Sequence, residues 1–142
     1  MKKIILCDID GTIANNDHRQ HFLEGKKDWD GFFSELINDE PIFPIINKVI
    51  EEYKAGKDII FLTGRPERYR YSTTTWLKEY FSFDIKLLMR KDGDLHNKVI
   101  VKKQIFETNF NASEIDYILD NDPDLLAMWN NYGIKTFEVK DY

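Results

Sequence analysis

Several things are scarce in this chain, and each shortage narrows what it can be. There is one cysteine, Cys7, so no disulfide can form within the chain; in a strand-like run it reads as a small buried hydrophobe. No apolar run approaches the roughly 20 residues needed to cross a bilayer, and the stretch 4–7 is too short for a secretory signal. The expectation is a soluble, cytoplasmic protein with no membrane partner. Positive charge is not in excess: 20 Lys and Arg stand against 25 Asp and Glu, a net of −5. Bulk attraction to nucleic acid is therefore disfavoured, and only a local basic patch remains open. Repeats, low-complexity tracts and linker-like stretches are also missing. The 142 residues, 42% hydrophobic and 14% aromatic, suit one domain that buries its core without staples.

What is present starts near the first residue. Lys3-Ile4-Ile5-Leu6-Cys7-Asp8-Ile9-Asp10-Gly11-Thr12 is an apolar run ending in two carboxylates two residues apart, with a glycine for a sharp turn. Short Ile/Leu-rich runs read as buried strands, and open α/β sheets bind ligands at the carboxyl ends of their strands. Asp8 and Asp10 are thus expected at the mouth of a site. Neighbouring carboxylates repel unless a cation lies between them or one stays protonated; either arrangement is chemically useful. On the pair alone, two solubilising residues at a strand end are an equal reading.

The rest alternates helix and strand. A polar stretch over 14–25 reads as a loop or short lid. The spacing of Trp29, Phe32, Phe33, Leu36 and Ile37 predicts a helix over 28–37 with those side chains on its core face. A second helix is expected over 45–55, with Pro44 in its first turn, Ile46, Val49, Ile50 and Tyr53 inward, and Gly56 as its stop. Further strands are expected over 58–62, 85–89, 115–119 and 134–139, and helices over 66–80, 98–106 and 123–132. This order gives an α/β, Rossmann-like three-layer fold: a central parallel sheet, helices on both faces, and a small insertion at about 14–43 after the first strand.

Polar residues recur at the strand ends. One run closes as Ile60-Phe61-Leu62-Thr63-Gly64-Arg65, another as Ile118-Leu119-Asp120-Asn121-Asp122. In a parallel sheet these ends share an edge with Asp8. A hydroxyl with free N–H groups at Thr63-Gly64 suits phosphate oxygens, and Asp120 adds a carboxylate suited to Mg²⁺. Singly, a Thr-Gly turn is an ordinary turn and Asp-Asn-Asp before Pro123 an ordinary helix cap; the three endings together carry the signal.

Asp8-x-Asp10-Gly11-Thr12, Thr63, a later lysine and an acidic strand end resemble the four motifs of haloacid-dehalogenase-type phosphatases. The stretches Thr63-Gly64-Arg65, 89–94, 99–106 and Leu119-Asp120-Asn121 with Met128-Trp129 further resemble the 3′-phosphatase domain of phage-type polynucleotide kinase/phosphatases. The resemblance implies Asp8 as a nucleophile forming an aspartyl-phosphate, Asp10 as acid and then base, and Lys102 as the motif lysine. It implies Thr63, Gly64, Arg65 and Arg19 as phosphate or substrate contacts, and Mg²⁺ held by Asp8, Asp10, Asp120 and Asn121. Asn121 stands where the family usually has Asp, so the second acidic role either weakens or passes to Asp122, and His96 and Lys98 stand where the family tends to have Arg and Asp. The implied substrate is a nucleic-acid 3′ end, with a separate polynucleotide kinase or ligase as partner, since no G-x-x-x-x-G-K-[ST] loop occurs here.

Other readings stay open. A short insertion leaves a cleft that also admits nucleotides and small phosphomonoesters. A receiver-like phosphoacceptor fits poorly, because its acceptor Asp lies on a middle strand, where this chain has Thr63 and Met89. His18, His21 and His96 lack the spacing of a helical metal pair. Trp29, Phe32 and Phe33 are expected in the core rather than on a base, and Arg68 and Arg70 as solvated charges. DNA versus RNA and the oligomeric state stay open.

Overall fold

The computed structural model describes residues 3–140. Strand β1 (Ile4–Cys7) leads into an insertion holding β2 (Ala14–Asn15), a 3₁₀ turn at Asp17–Leu23, helix α1 (Trp29–Ser34), a 3₁₀ turn at Leu36–Asn38 and β3 (Glu40–Pro41). There follow α2 (Phe43–Lys54), β4 (Asp58–Pro66), α3 (Arg70–Tyr80), β5 (Leu87–Arg90), α4 (Lys98–Asn109), β6 (Ile115–Asp120), α5 (Pro123–Asn131) and β7 (Thr136–Glu138). Among the described residues, five strands form a parallel sheet in the order β5-β4-β1-β6-β7. No helix there is long and apolar enough to cross a membrane.

Strand alternation sorts the core into two layers. Ile5 and Cys7 of β1 pack with Phe61, Leu119, Val49, Trp76 and Leu77 under α2 and α3. Leu6 points the other way and packs with Leu62, Ile118, Phe106 and Trp129 under α4 and α5. The central strands are apolar on both faces because both faces are covered. β2 and β3 pair antiparallel, Ala14 with Pro41 and Asn15 with Glu40. They clip together the two ends of the insertion, so its intervening residues hang as one flap beside β1.

The departures from the sequence expectations have local causes. The helix expected over 28–37 ends at Ser34 and turns into 3₁₀ geometry. Phe32 and Leu36 stay buried, while Trp29 and Ile37 reach solvent and Phe33 is half-buried. Tyr53 of α2 is exposed and stacks on Phe83, 4.4 Å between centroids. β4 runs past Leu62 through Pro66, with irregular register between those two residues against β5; only after a 3₁₀ turn does α3 begin. β5 begins at Leu87, two residues later than expected, and runs one residue past Met89 to Arg90.

Candidate active site

β4, β1 and β6 are neighbours, so their carboxyl ends meet at the middle of the sheet. Asp8 follows β1 directly, and its amide donates to the Leu119 carbonyl at 3.0 Å. The side chain is buried: Lys102 Nζ donates to Oδ1 at 2.6 Å and Thr12 Oγ1 to Oδ2 at 2.9 Å. Burial is the largest influence on this carboxyl and raises its pKa to about 7. Lys102 pulls it down, and Asp120 and Asp10 add to the rise. Lys102, buried on α4, is held cationic: burial opposes its charge, but Asp8 and Asp120 outweigh that and lift its pKa. A carboxylate on a rigid strand end, with an ammonium in contact, is equipped to meet a group whose charge is negative.

Asp120 turns inward. Its Oδ1 accepts from the amides of Asn121 and Asp122 at 2.8 and 3.1 Å. Its Oδ2 accepts from Trp129 Nε1 at 3.3 Å and lies 3.7 Å from Lys102 Nζ. The residue that faces Asp8 is Asn121, whose amide nitrogen donates to Asp8 Oδ2 and to the Asp10 carbonyl, both at 3.1 Å. Among the described residues no group of three or more His, Cys, Asp or Glu side chains stands ready for a metal ion. The groups converging here are one carboxylate, one backbone carbonyl and one amide. Gly11 permits this approach. It lies at φ +78°, and a Cβ on it would fall 2.3 Å from the terminal amide atom of Asn121 that points away from Asp8, so any side chain would push the amide away.

Asp10 sits in a different setting. Arg19 donates to its Oδ1 at 2.6 Å, and Arg65 grips both oxygens, at 3.1 and 2.9 Å. Burial favours the neutral acid, but the Arg65 and Arg19 guanidiniums win and hold the carboxyl at about 2. Both arginines also bind Asp39. Arg19 reaches it at 2.8 Å through both Nε and a terminal nitrogen, Arg65 at 3.2 Å, and His18 at 2.7 Å. Arg19 and Arg65, 0% and 1% exposed, are thus engaged by carboxylates and by Phe32 O and Thr73 Oγ1.

Thr63 and Gly64 complete the edge from β4. Thr63 is buried and its Oγ1 accepts from the Arg65 amide at 3.2 Å, leaving the hydroxyl proton to donate elsewhere. Arg90 fastens this turn to the next loop, donating to the carbonyls of Gly64, Asp94 and His96 at 2.8, 2.9 and 2.6 Å. Lys98 pairs with Asp122 and Asp124 at the rim.

The family model described as the polynucleotide kinase PNKP phosphatase domain matches residues 2–142. The chain belongs to that family. It is a phosphatase domain of haloacid-dehalogenase type, as its motifs and sheet order indicate. It is 28% identical to a provisionally named bifunctional polynucleotide kinase/RNA ligase of Autographa californica nuclear polyhedrosis virus, across 99% of this chain and 20% of the relative. A chain of a solved Pnkp1/Rnl/Hen1 complex superposes with a TM-score of 0.80 at 26% identity, over all of this chain and 48% of that one. The class C acid phosphatase from Bacillus anthracis shares the fold at a TM-score of 0.62 and 18% identity, over 97% of this chain and 66% of its own. The chain spans a fifth of the viral relative and less than half of the repair-complex chain.

Within this PNKP-type phosphatase domain, the expected site residues divide into two groups. Asp8, Lys102 and Asn121 meet at one point with Thr12, and Asp120 backs Lys102 there; Asp10, Arg19 and Arg65 form a second cluster around Asp39, while Thr63 and Gly64 stand on the β4 end beside them. Sequence reasoning passed over Asp39. It lies in a short acidic connection before Pro41, and nothing in its neighbours marks it as buried.

Proposed function

We propose that this domain removes 3′-phosphates from polynucleotide ends through an aspartyl-phosphate on Asp8, with Mg²⁺ as cofactor. The observation that carries the reading is the Asp8 carboxylate, buried at a strand end with Lys102 2.6 Å away. An Asp8 oxygen attacks phosphorus, and the bond from phosphorus to the ribose 3′ oxygen breaks. The leaving oxygen takes a proton from the Asp10 carboxyl, which must first have bound one, and water then cleaves the acyl phosphate to inorganic phosphate and Asp8, its proton returning to the Asp10 carboxylate. Thr63 Oγ1 and the Gly64 amide bind phosphoryl oxygens, and Lys102 offsets their charge. Asp10 deprotonates the water. Two guanidiniums hold Asp10 ionised, so it can protonate the leaving oxygen only after they loosen. Arg19 and Arg65 therefore act by placing Asp10.

The residues fit a hard cation. Octahedral Mg²⁺ with oxygens at about 2.1 Å places adjacent ligands about 3.0 Å apart. The Asn121 amide atom lies 3.1 Å from both Asp8 Oδ2 and the Asp10 carbonyl. A half-turn of the amide puts its oxygen at that point. Asp8, the Asp10 carbonyl and Asn121 would hold the ion, which supplies positive charge against the transferring phosphoryl oxygens. Asp120 supports Lys102 and the loop. The domain works beside polynucleotide kinase and ligase activities, the pairing named for its viral relative.

One assay tests this: 3′-phosphorylated oligonucleotides, 5′-phosphorylated oligonucleotides and mononucleotides side by side, with Mg²⁺ or with chelator. The 3′-phosphorylated ends should turn over fastest and only with metal. Mononucleotides hydrolysed equally well would make this a nucleotidase.

A further inference from the structure

The insertion exposes a row of aromatic rings beside the site. Trp29 is 47% exposed and lies nearly parallel to half-buried Phe33, 5.9 Å between centroids with 23° between planes. Phe33 in turn meets half-buried Tyr69 at 5.1 Å. The row spans the seam between the insertion and the sheet, because Asp30 accepts from Tyr69 Oη at 2.9 Å and from Arg68 at 3.2 Å. It is also joined to the chemistry. Buried Phe32, next to Phe33, holds Arg19 from two sides, its ring 4.3 Å from the guanidinium carbon and its carbonyl 3.3 Å from Nη1. Arg19 binds Asp10. Tyr69 follows Arg65 by four residues on the same strand-end segment. Cations flank the rings: Lys27 Nζ lies 5.6 Å from the Trp29 ring and Arg68 4.9 Å from the Tyr69 ring.

We infer that Trp29, Phe33 and Tyr69 form a stacking platform for the unpaired bases at a substrate's 3′ end, with Lys27 and Arg68 facing its backbone phosphates. Exposed aromatic faces with interleaved cations are what single strands are held by, and stacking accepts any base. Packing alone explains Phe32 but not a tryptophan left half in water. Lys27 and Arg68 lie along this row, and Arg68 is held there by Asp30 and Asp92, so a backbone phosphate would compete with these carboxylates for it. The inference rests on the reading of the site as one for polynucleotide 3′ ends and adds the surface that grips them.

The test compares two 3′-phosphorylated oligonucleotides, one ending in a normal nucleotide and one whose last nucleotides are abasic, with p-nitrophenyl phosphate as a baseless control. The parent protein should favour the base-bearing end by about 5- to 150-fold in kcat/KM, the range of one stacked base. Trp29→Ala should erase most of that preference and leave p-nitrophenyl phosphate turnover unchanged, while Trp29→Phe should keep it. Trp76 and Trp129 are buried, so quenching of tryptophan emission by the oligonucleotide should vanish in Trp29→Phe. Equal handling of base-bearing and abasic ends by the parent, a measurement that needs no variant, would overturn the platform and assign the row to contact with another protein surface. Failure of the parent to hydrolyse any oligonucleotide, with p-nitrophenyl phosphate still turned over, would instead overturn the 3′-end reading and the platform with it.

Discussion

Asp39→Asn removes one negative charge and almost no volume from a buried cluster. The carboxylate it replaces accepts from Arg19 twice, from Arg65 and from His18, at distances between 2.7 and 3.2 Å, and its side chain is wholly buried. Two guanidiniums would then share Asp10 alone, and one cation would be left uncompensated. Breaking a buried pair from one side costs about 3–5 kcal/mol, against a total stability of about 5–15 kcal/mol for a domain. With a urea slope of about 2 kcal/mol per molar, the unfolding midpoint should fall by roughly 1.5–2.5 M. Adding Arg19→Met to Asp39→Asn should cost less than the two single changes summed, because the orphaned cation is gone. Urea melts followed by circular dichroism measure all of this. A midpoint shift under about 0.25 M, the size of an ordinary surface substitution, would mean that Asp39 does not hold the arginines, and the clasp described above would fall.

Asp8→Asn should abolish turnover of every phosphomonoester while the circular dichroism spectrum stays unchanged, since only the nucleophilic charge is lost; a near-normal rate would exclude the covalent route. Asn121→Asp should raise Mg²⁺ affinity and Asn121→Ala should lower it, each by about tenfold or more for a direct ligand, as read by calorimetric titration. An unchanged affinity in both would move the metal to Asp120. Arg65→Ala should reduce kcat by about 100-fold, the lower range for a misplaced acid–base group, and equally for oligonucleotide and p-nitrophenyl phosphate. A loss confined to oligonucleotides would place Arg65 on the nucleotide instead.

How legible all this was depends on what each residue's neighbours revealed. The parallel sheet could be read because Ile4–Cys7, 58–62 and 115–119 are apolar on both faces and closed by polar endings. That the β1, β4 and β6 ends share one edge followed from the same endings, whereas the choice of Lys102, which pairs with Asp8, came from a family resemblance. Trp29 and Ile37 could not be placed, since a helical pattern says which residues share a face but not where the helix stops. The extension of β4 through Pro66 was hidden by Thr63, Gly64 and Arg65, which carry no strand signal. Asp120 and Asn121 are adjacent, and only backbone geometry decides which of two neighbours faces Asp8. Asp39 gives no local sign at all: its burial depends on Arg19 and Arg65, 20 and 26 residues away.

The Asp10–Arg19–Asp39–Arg65 cluster straddles two parts of the molecule. Arg19, Asp39 and His18 belong to the insertion between β1 and α2; Asp10 lies on the loop that leaves β1, bridged to Ala14, and Arg65 on β4. Each side holds one carboxylate and one guanidinium that already touch each other, Arg19 with Asp39 and Arg65 with Asp10. Drawing the insertion away from the sheet therefore parts two neutral dimers and strips no ion of its partner. Within the cluster the contacts broken are Arg19 to Asp10 and Arg65 to Asp39, and each charge keeps its own counterion as water enters; outside it Asp30 leaves Tyr69 and Arg68, and the Asp39 carbonyl leaves Trp76 Nε1. Separation along this seam avoids the desolvated, unpaired charge that makes buried ion pairs rigid. Arg19, Arg65 and Asp39 fix Asp10 while the seam is shut, and every one of these charges would keep a counterion if the seam parted.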